Sequence, residues 1–108
     1  YINNTTRITA GSLNKELPFK GDGIINTTSA GLLGQEIVYP ENLFSDQAWS
    51  YDLNYDDVTT NFNKLAKRNK ISKAYDGMEM LFRQAALSFE IWTDLTPDVD
   101  KAIEMVKK

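Results

Sequence analysis

The chain has 108 residues, of which 42% are hydrophobic and 25% charged, and its formal net charge is −3. This composition predicts a folded soluble domain, and no apolar run approaches the ~18 residues of a membrane span or resembles an intact secretory signal. With no histidine and no cysteine, the chain cannot supply a Ser-His-Asp triad, a Cys nucleophile, a zinc finger or a disulfide. The acidic pI of about 4.8 argues against nucleic-acid binding, and the lack of cysteine favours a cytoplasmic location.

The first half of the chain predicts short strands separated by loops. Residues 7–10 form a candidate strand after a polar cluster. Residues 24–28 run from two isoleucines into small polar side chains, which is typical of the carboxyl end of a buried parallel strand. Residues 29–47 are rich in glycine and predict a long loop, and the apolar stretch 48–53 predicts another strand.

From Val58 the spacing of apolar residues becomes helical. Val58, Phe62, Leu65 and Ala66 recur on one face, and Asn61, Lys64 and Arg68 lie on the other. The basic residues that follow suit the negative end of a helix dipole. A short strand at residues 71–75 comes next.

Two helices complete the predicted set. The first spans residues 76–92, with Asp76 as N-cap and Glu79 completing a capping box. Its apolar residues form two stripes, so we expect burial on both faces. Gln84 interrupts the second stripe, either as a core amide bonded to backbone or as a ligand contact. The second helix spans residues 97–107, with Thr96 as N-cap and Pro97 in its first turn.

This alternation of strands and helices predicts an α/β fold with a mostly parallel sheet and flanking helices. Neither G-x-G-x-x-G nor G-x-x-x-x-G-K-[ST] occurs in the chain. Composition and spacing therefore predict a soluble α/β domain with a polar site at its strand ends, where open parallel sheets bind ligands.

Four blocks of sequence, in this order, closely resemble the C-terminal part of shikimate dehydrogenase. They are G-I-I-N-T-T-S-A-G at residues 23–31, Y-D-L-N-Y at 51–55, Y-D-G-M-E-M-L-F-R-Q-A-A at 75–86 and F-E-I-W at 89–92. The resemblance implies a partial Rossmann-like, doubly wound sheet, with residues 1–108 as a single partial domain on the nucleotide-binding side.

The resemblance also implies an oxidoreductase of aromatic amino-acid biosynthesis, on the chorismate pathway, that reduces 3-dehydroshikimate to shikimate with NADP. The family's proton-handling lysine and aspartate lie in an N-terminal substrate domain, and its glycine-rich loop lies in a central segment. No catalytic residue carries over to this chain, so we expect the fragment alone to be inactive. NAD as cofactor and quinate as substrate stay open.

Site residues follow from the same resemblance. It implies that Leu53 packs near the nicotinamide, that Gly77 approaches the carboxamide through its backbone, and that Tyr55 and Gln84 bind the substrate. It also implies that the strand end facing the cofactor carries polar contacts, with Thr28 the strongest candidate, followed by Asn26, Thr27 and Ser29.

Two features depart from a complete family member. Glu79 stands where the family often has glycine, so a carboxylate lies near the nicotinamide region and either serves the helix cap or disfavours an anionic ligand. The missing upstream strands leave an open sheet edge, which another copy or residues 7–10 would pair. A non-catalytic self-association or partner-binding module is therefore an alternative function, and a quinate/shikimate-type paralogue is another.

Overall fold

The computed structural model describes residues 8–12, 21–29, 38–40, 43–44, 47–56 and 59–107. Within these residues the order of elements is β1 (Gly23–Asn26), β2 (Trp49–Asp52), α1 (Asn61–Arg68), β3 (Lys73–Tyr75), α2 (Met78–Thr93) and α3 (Val99–Val106). The strands form a parallel sheet in the order β1-β2-β3, with Ile25, Tyr51 and Tyr75 in one row across it. The predicted α/β fold with a parallel sheet and flanking helices is confirmed.

Helix α1 covers one face of this sheet, as its apolar spacing predicts. Phe62 and Ala66 are buried, and the ring of Phe62 lies 5.0 Å from that of Phe44 between centroids. The buried Asn63 amide adds polar ties: its Oδ1 accepts from the Ser50 hydroxyl at 3.4 Å and its Nδ2 donates to the Tyr75 carbonyl at 2.8 Å. α1 is thereby fixed to both β2 and β3. Val58 lies outside the described residues.

The predicted strand at residues 7–10 is not formed. Residues 8–10 are exposed and have no regular structure, and Arg7 lies outside the described part. Within the described ranges, the outer edge of β1 has no strand partner. These residues therefore do not fill the gap beside β1. Of the predicted loop at 29–47, residues 29, 38–40, 43–44 and 47 are described, and they carry no helix or strand.

Both predicted helix caps are shifted along the chain. The N-cap of α2 is Gly77 rather than Asp76, whose Oδ1 instead accepts from the Met78 amide at 3.0 Å in a turn just before the helix. The N-cap of α3 is Asp98, which accepts from the Lys101 amide at 3.0 Å. Thr96 is not the cap, because its hydroxyl bonds to the Glu90 carboxylate at 3.1 Å.

The expected burial of α2 on both faces is wrong. No residue of α2 is buried, and Leu87, Ile91 and Trp92 are 62%, 79% and 80% exposed. Among the described elements α2 packs mainly against α3, so only one stripe has a neighbour. Helical periodicity identifies an apolar face but does not supply the element that covers it.

Candidate functional site

The carboxyl ends of the three strands meet at one edge of the sheet. The Leu53 amide, just after β2, donates to the Asn26 carbonyl at the end of β1 at 3.0 Å. The Gly77 amide, after β3, donates to the Asn54 carbonyl at 3.0 Å. These two backbone bonds continue the sheet beyond its strands and bring three loops together, at the place where open parallel sheets bind ligands.

Asp52 is the centre of a polar network at this edge. Its side chain is almost fully buried, with 1% exposed. Oδ1 accepts from Asn26 Nδ2 at 3.0 Å, from the Asn54 amide at 3.1 Å and from Asn54 Nδ2 at 3.2 Å. A buried carboxylate requires such donors, because water is not available to solvate it.

Asn26 carries this network outward to Thr28. Asn26 Oδ1 accepts from the Thr28 amide at 3.1 Å and from the Thr28 hydroxyl at 2.8 Å. Thr28 is exposed, whereas Asn26 is buried with both ends of its amide engaged. Asn54 Nδ2 also donates to the Thr28 carbonyl at 3.0 Å, so side chains from β1 and β2 both hold this loop.

A tyrosine closes the network from the loop before β2. Asn26 Nδ2 lies 3.4 Å from the Tyr39 hydroxyl, and the Tyr39 ring packs edge-on against Phe62 at 5.5 Å between centroids. Burial raises the pKa of Tyr39, and the negative charge of Asp52 raises it further. The neighbouring polar side chains of Thr28 and Asn26 lower this pKa by a smaller amount. Tyr39 is therefore a neutral phenol beside the exposed Thr28.

Gly77 lies against the backbone of β2's end. A Cβ on Gly77 would overlap the carbonyl oxygen of Leu53. The chain's own backbone therefore requires glycine here, a reason additional to the approach of a ligand. The side chains of Leu53 and Tyr55 are 37% and 46% exposed beside this contact.

Gln84 lines a cavity of about 620 Å³ between the open face of the sheet and α2. The other lining residues are Tyr51, Ala74, Tyr75, Asp76, Glu79, Met80, Arg83, Leu87 and Lys107. Gln84 is exposed, and no described residue hydrogen-bonds to its side-chain amide. The interpretation of Gln84 as a core amide is therefore wrong, and its amide is available to a ligand.

The electrostatics of this cavity are mixed. Burial raises the pKa of Tyr51, and the carboxylates of Asp76 and then Glu79 raise it further. Glu79 Oε1 accepts from Arg83 Nε at 2.9 Å and from Nη2 at 2.7 Å. Arg83 Nη2 also reaches Asp100 on α3 at 3.3 Å. Glu79 therefore does not complete a capping box, and its charge is compensated.

The structure brings most of the predicted residues to one edge. Thr28, Leu53 and Gly77 lie there together, with the exposed Thr27 and Ser29 beside them. Gln84 lies on α2 and lines the cavity. Sequence reasoning missed Asp52, Asn54 and Tyr39. The available signal was Asp52 itself, since a carboxylate closing an apolar strand needs buried donors.

The described ranges contain neither a membrane-spanning helix nor a metal-binding cluster. None of their helices is long and apolar enough to cross a membrane. Their acidic side chains form no cluster of three that could hold a metal ion.

The residues at the edge fit the nicotinamide half of a dinucleotide. Leu53 offers an exposed apolar side chain to a ring and Thr28 offers an exposed hydroxyl, while the buried Gly77 holds the turn beside Leu53 in place. Phosphates need backbone amides of a glycine-rich turn or basic side chains, and the strand-end residues described here supply neither.

Fold and edge together define an α/β protein with a parallel sheet and a candidate ligand site at its strand ends. A family model described as "Shikimate 5'-dehydrogenase C-terminal domain" matches residues 77–106. The NADP(+) shikimate dehydrogenase of Colwellia psychrerythraea is 42% identical over 86 residues, which is 80% of this chain and 31% of the relative.

Solved structures agree with this match. The chorismate mutase/shikimate 5-dehydrogenase fusion protein from Clostridium acetobutylicum superposes with a TM-score of 0.71 and 37% identity, over 82% of this chain and 34% of that one. Shikimate dehydrogenase 1 from Peptoclostridium difficile gives a TM-score of 0.73 and 28% identity, over 83% and 35%. The chain is thus similar to shikimate dehydrogenases over most of its length, with residues 77–106 matching their C-terminal domain, and the resemblance seen in the sequence is confirmed. It spans about a third of the curated relatives it matches.

Proposed function

We propose that the protein carrying these residues is an NADP-dependent shikimate dehydrogenase, which reduces 3-dehydroshikimate to shikimate. The observation that carries the proposal is the meeting of Thr28, Leu53 and Gly77 at the carboxyl edge of a parallel sheet. Curated relatives bear the name NADP(+) shikimate dehydrogenase, which supports NADP over NAD. When bound, the dinucleotide supplies the hydride for this reduction.

In this proposal each exposed side chain has a binding task. Leu53 packs against the nicotinamide and Thr28 bonds to its polar groups, with Thr27 and Ser29 beside it and Asn26 supporting it from inside. Tyr55 and Gln84 bind the hydroxyls and carboxylate of the substrate. The exposed phenol of Tyr55 and the unpartnered amide of Gln84 can each donate and accept, as a polyhydroxylated ring requires.

Residues 1–108 form one partial domain in this proposal, and the isolated chain is inactive. The reason is that the resemblance implies a lysine and aspartate pair in an N-terminal substrate domain, whereas the family model that this chain matches is that of the C-terminal domain. The complete protein acts in the cytoplasm on a small molecule, without nucleic acid or membrane.

The test is NADP-coupled oxidation of shikimate by the protein expressed from its complete coding sequence, beside the 108-residue chain. We expect turnover by the complete protein and none by the isolated chain. The same assay with quinate as substrate distinguishes a quinate/shikimate-type paralogue from an enzyme that oxidises only shikimate. Absence of turnover with both substrates would overturn the proposal.

One observation favours a second candidate function, a self-associating or partner-binding module. Within the described ranges the outer edge of β1 is unpaired, and Ile25 on that strand is 54% exposed. Unpaired strand edges add strands from other chains. Sedimentation of the 108-residue chain separates the two: a concentration-dependent dimer without turnover by the complete protein favours the module.

A further inference from the structure

In the polar network at the strand ends, each donor and acceptor is set by its neighbour: Thr28 donates to Asn26, and Asn26 donates to the buried Asp52. We propose that Asp52 is a positioning residue: acting through the Asn26 amide, it fixes the Thr28 hydroxyl as a hydrogen-bond acceptor toward an N–H or O–H donor on the nicotinamide–ribose half of the dinucleotide. This inference rests on the function proposed above and adds a specificity rule to it.

Asp52 determines which groups donate, because a carboxylate can only accept hydrogen bonds. Asn26 therefore has to turn its NH₂ group toward Asp52 Oδ1, which lies 3.0 Å away. The opposite amide orientation would place two acceptor oxygens against each other beside a side chain that is 1% exposed. Such a contact is strongly unfavourable where water cannot intervene.

The second step passes from Asn26 to Thr28. With its NH₂ group committed to Asp52, Asn26 presents Oδ1 to the Thr28 hydroxyl at 2.8 Å. A carbonyl oxygen only accepts, so the Thr28 hydroxyl proton lies on this bond. The Thr28 oxygen keeps two lone pairs. Thr28 is exposed, so these lone pairs can accept a hydrogen bond from a ligand.

The third step concerns rigidity. Asp52 Oδ1 also holds Asn54, whose Nδ2 donates to the Thr28 carbonyl at 3.0 Å. One carboxylate therefore fixes both the hydroxyl rotor and the backbone of the exposed Thr28. An acceptor held in place before binding loses little freedom when the ligand arrives. The site should favour a ligand group that donates and disfavour one that only accepts.

A double-mutant cycle tests this inference through the Kd of the complete protein for NADP⁺, measured calorimetrically without turnover. Thr28→Val removes the hydroxyl and keeps the shape, and we expect about threefold to tenfold weaker binding. Thr28→Ser keeps the hydroxyl and should bind within about twofold of the wild type. Asp52→Asn removes the carboxylate that holds the Asn26 NH₂ group and leaves only the Thr28 backbone amide to orient Asn26, so it should also weaken binding about threefold to tenfold.

The decisive quantity is the coupling between the two positions. If Asp52 acts through Thr28, Asp52→Asn in the Thr28→Val background changes Kd by less than about twofold, whereas independent effects would multiply. Asp22→Asn, an exposed aspartate at the amino end of β1, makes the same charge change and should leave Kd unaltered. If melting shows that Asp52→Asn is unfolded, Asn26→Ala takes its place in the cycle.

A dinucleotide with an acetyl group in place of the carboxamide identifies the donor. If Thr28→Val weakens NADP⁺ binding but not binding of this analogue, the donor is the carboxamide N–H. If both are weakened equally, it is a ribose hydroxyl, and either result supports the inference. Multiplicative effects, or a Thr28→Val protein that binds like the wild type, overturn the inference alone. A wild-type protein that binds neither dinucleotide overturns the proposed function together with it.

Discussion

Gly77 is packed so closely against Leu53 that the carbonyl oxygen of Leu53 occupies the place of a Cβ on Gly77. The turn from β3 into α2 therefore rests on the end of β2, and the Gly77 amide is bonded to Asn54 next to Leu53. Because α2 begins at Met78, this contact sets the direction of the helix that carries Gln84. The close packing of Gly77 therefore fixes the position of the cavity-lining Gln84 relative to the strand ends.

The first prediction concerns this contact. Gly77→Ala should lower the free energy of unfolding by about 1–3 kcal/mol, because the backbone of Leu53 cannot move aside as a side chain could. Gly11→Ala is the matched control, since a Cβ there meets nothing within 4 Å, and it should change the free energy by less than about 0.5 kcal/mol. Urea unfolding of the complete protein measures both, and equal stabilities for the two variants would refute the packing argument.

The second prediction concerns Gln84. Gln84→Ala should raise KM for shikimate by about tenfold through lost hydrogen bonds. The melting temperature should stay unchanged, because the side chain is exposed and no described residue bonds to it. Gln84→Glu keeps the size but brings a negative charge toward an anionic substrate, so its KM should rise further. Steady-state kinetics with a melting control decides; a Gln84→Ala protein with normal KM and a lower melting temperature would assign the residue to stability instead.

The third prediction concerns the carboxylate of Glu79. Its charge is already paired with Arg83, so Glu79→Gln should change KM for shikimate by less than about twofold. Arg83→Gln removes the compensating cation and leaves Glu79 facing the cavity, so KM should rise, and more so at low salt. A marked fall of KM in Glu79→Gln would show instead that this carboxylate opposes the substrate.

The fourth prediction concerns pH. Burial and then the Asp52 charge raise the pKa of Tyr39 above the usual 10.0, because both disfavour the phenolate. Between the unfolded and the folded pKa, the unfolded chain has lost the proton and the native state retains it. The stabilisation is therefore complete below pH 10 and is lost as the pH rises toward the folded value. Tyr39→Phe should show a shallower loss of stability in this alkaline range.

Ultraviolet titration gives a direct measurement of the same group. The difference between wild type and Tyr39→Phe at the phenolate band should have its midpoint above pH 10. Asp52→Asn should lower that midpoint without returning it to the ordinary value, since burial is the larger cause. A difference midpoint at or below the value of a free phenol would contradict the placement of Tyr39 in the network.

Residues whose role is local could be predicted from the sequence. Phe62 and Ala66 lie on the buried face of α1, and Lys67 and Arg68 lie in its last turn as dipole reasoning expects. The exposure of Ile91 and Trp92 could not be predicted, because periodicity gives the apolar face of α2 and not its neighbours. Cap positions shifted where a side chain found another partner, as Thr96 did with Glu90.

The residues of the candidate site also include some that the sequence could predict and some that it could not. The resemblance implied that Thr28 and Gln84 are ligand contacts; both are exposed, and Gln84 lines the cavity. Asp52 was missed because an aspartate followed by a turn is ordinary in a sequence. Its importance lies in bonds to Asn26 and Asn54, which only the register of β1 with β2 brings together.

The central claim is that the nicotinamide binds at the carboxyl edge of the sheet. Hydrogen exchange of the complete protein, with and without NADP⁺, tests it most directly. We predict slowed exchange in peptides that cover residues 26–29, 53–55 and 77–84, and unchanged exchange at the amino edge around Gly21 and Trp49. Slowed exchange confined to the amino edge, or none in the whole of residues 21–107, would contradict the account.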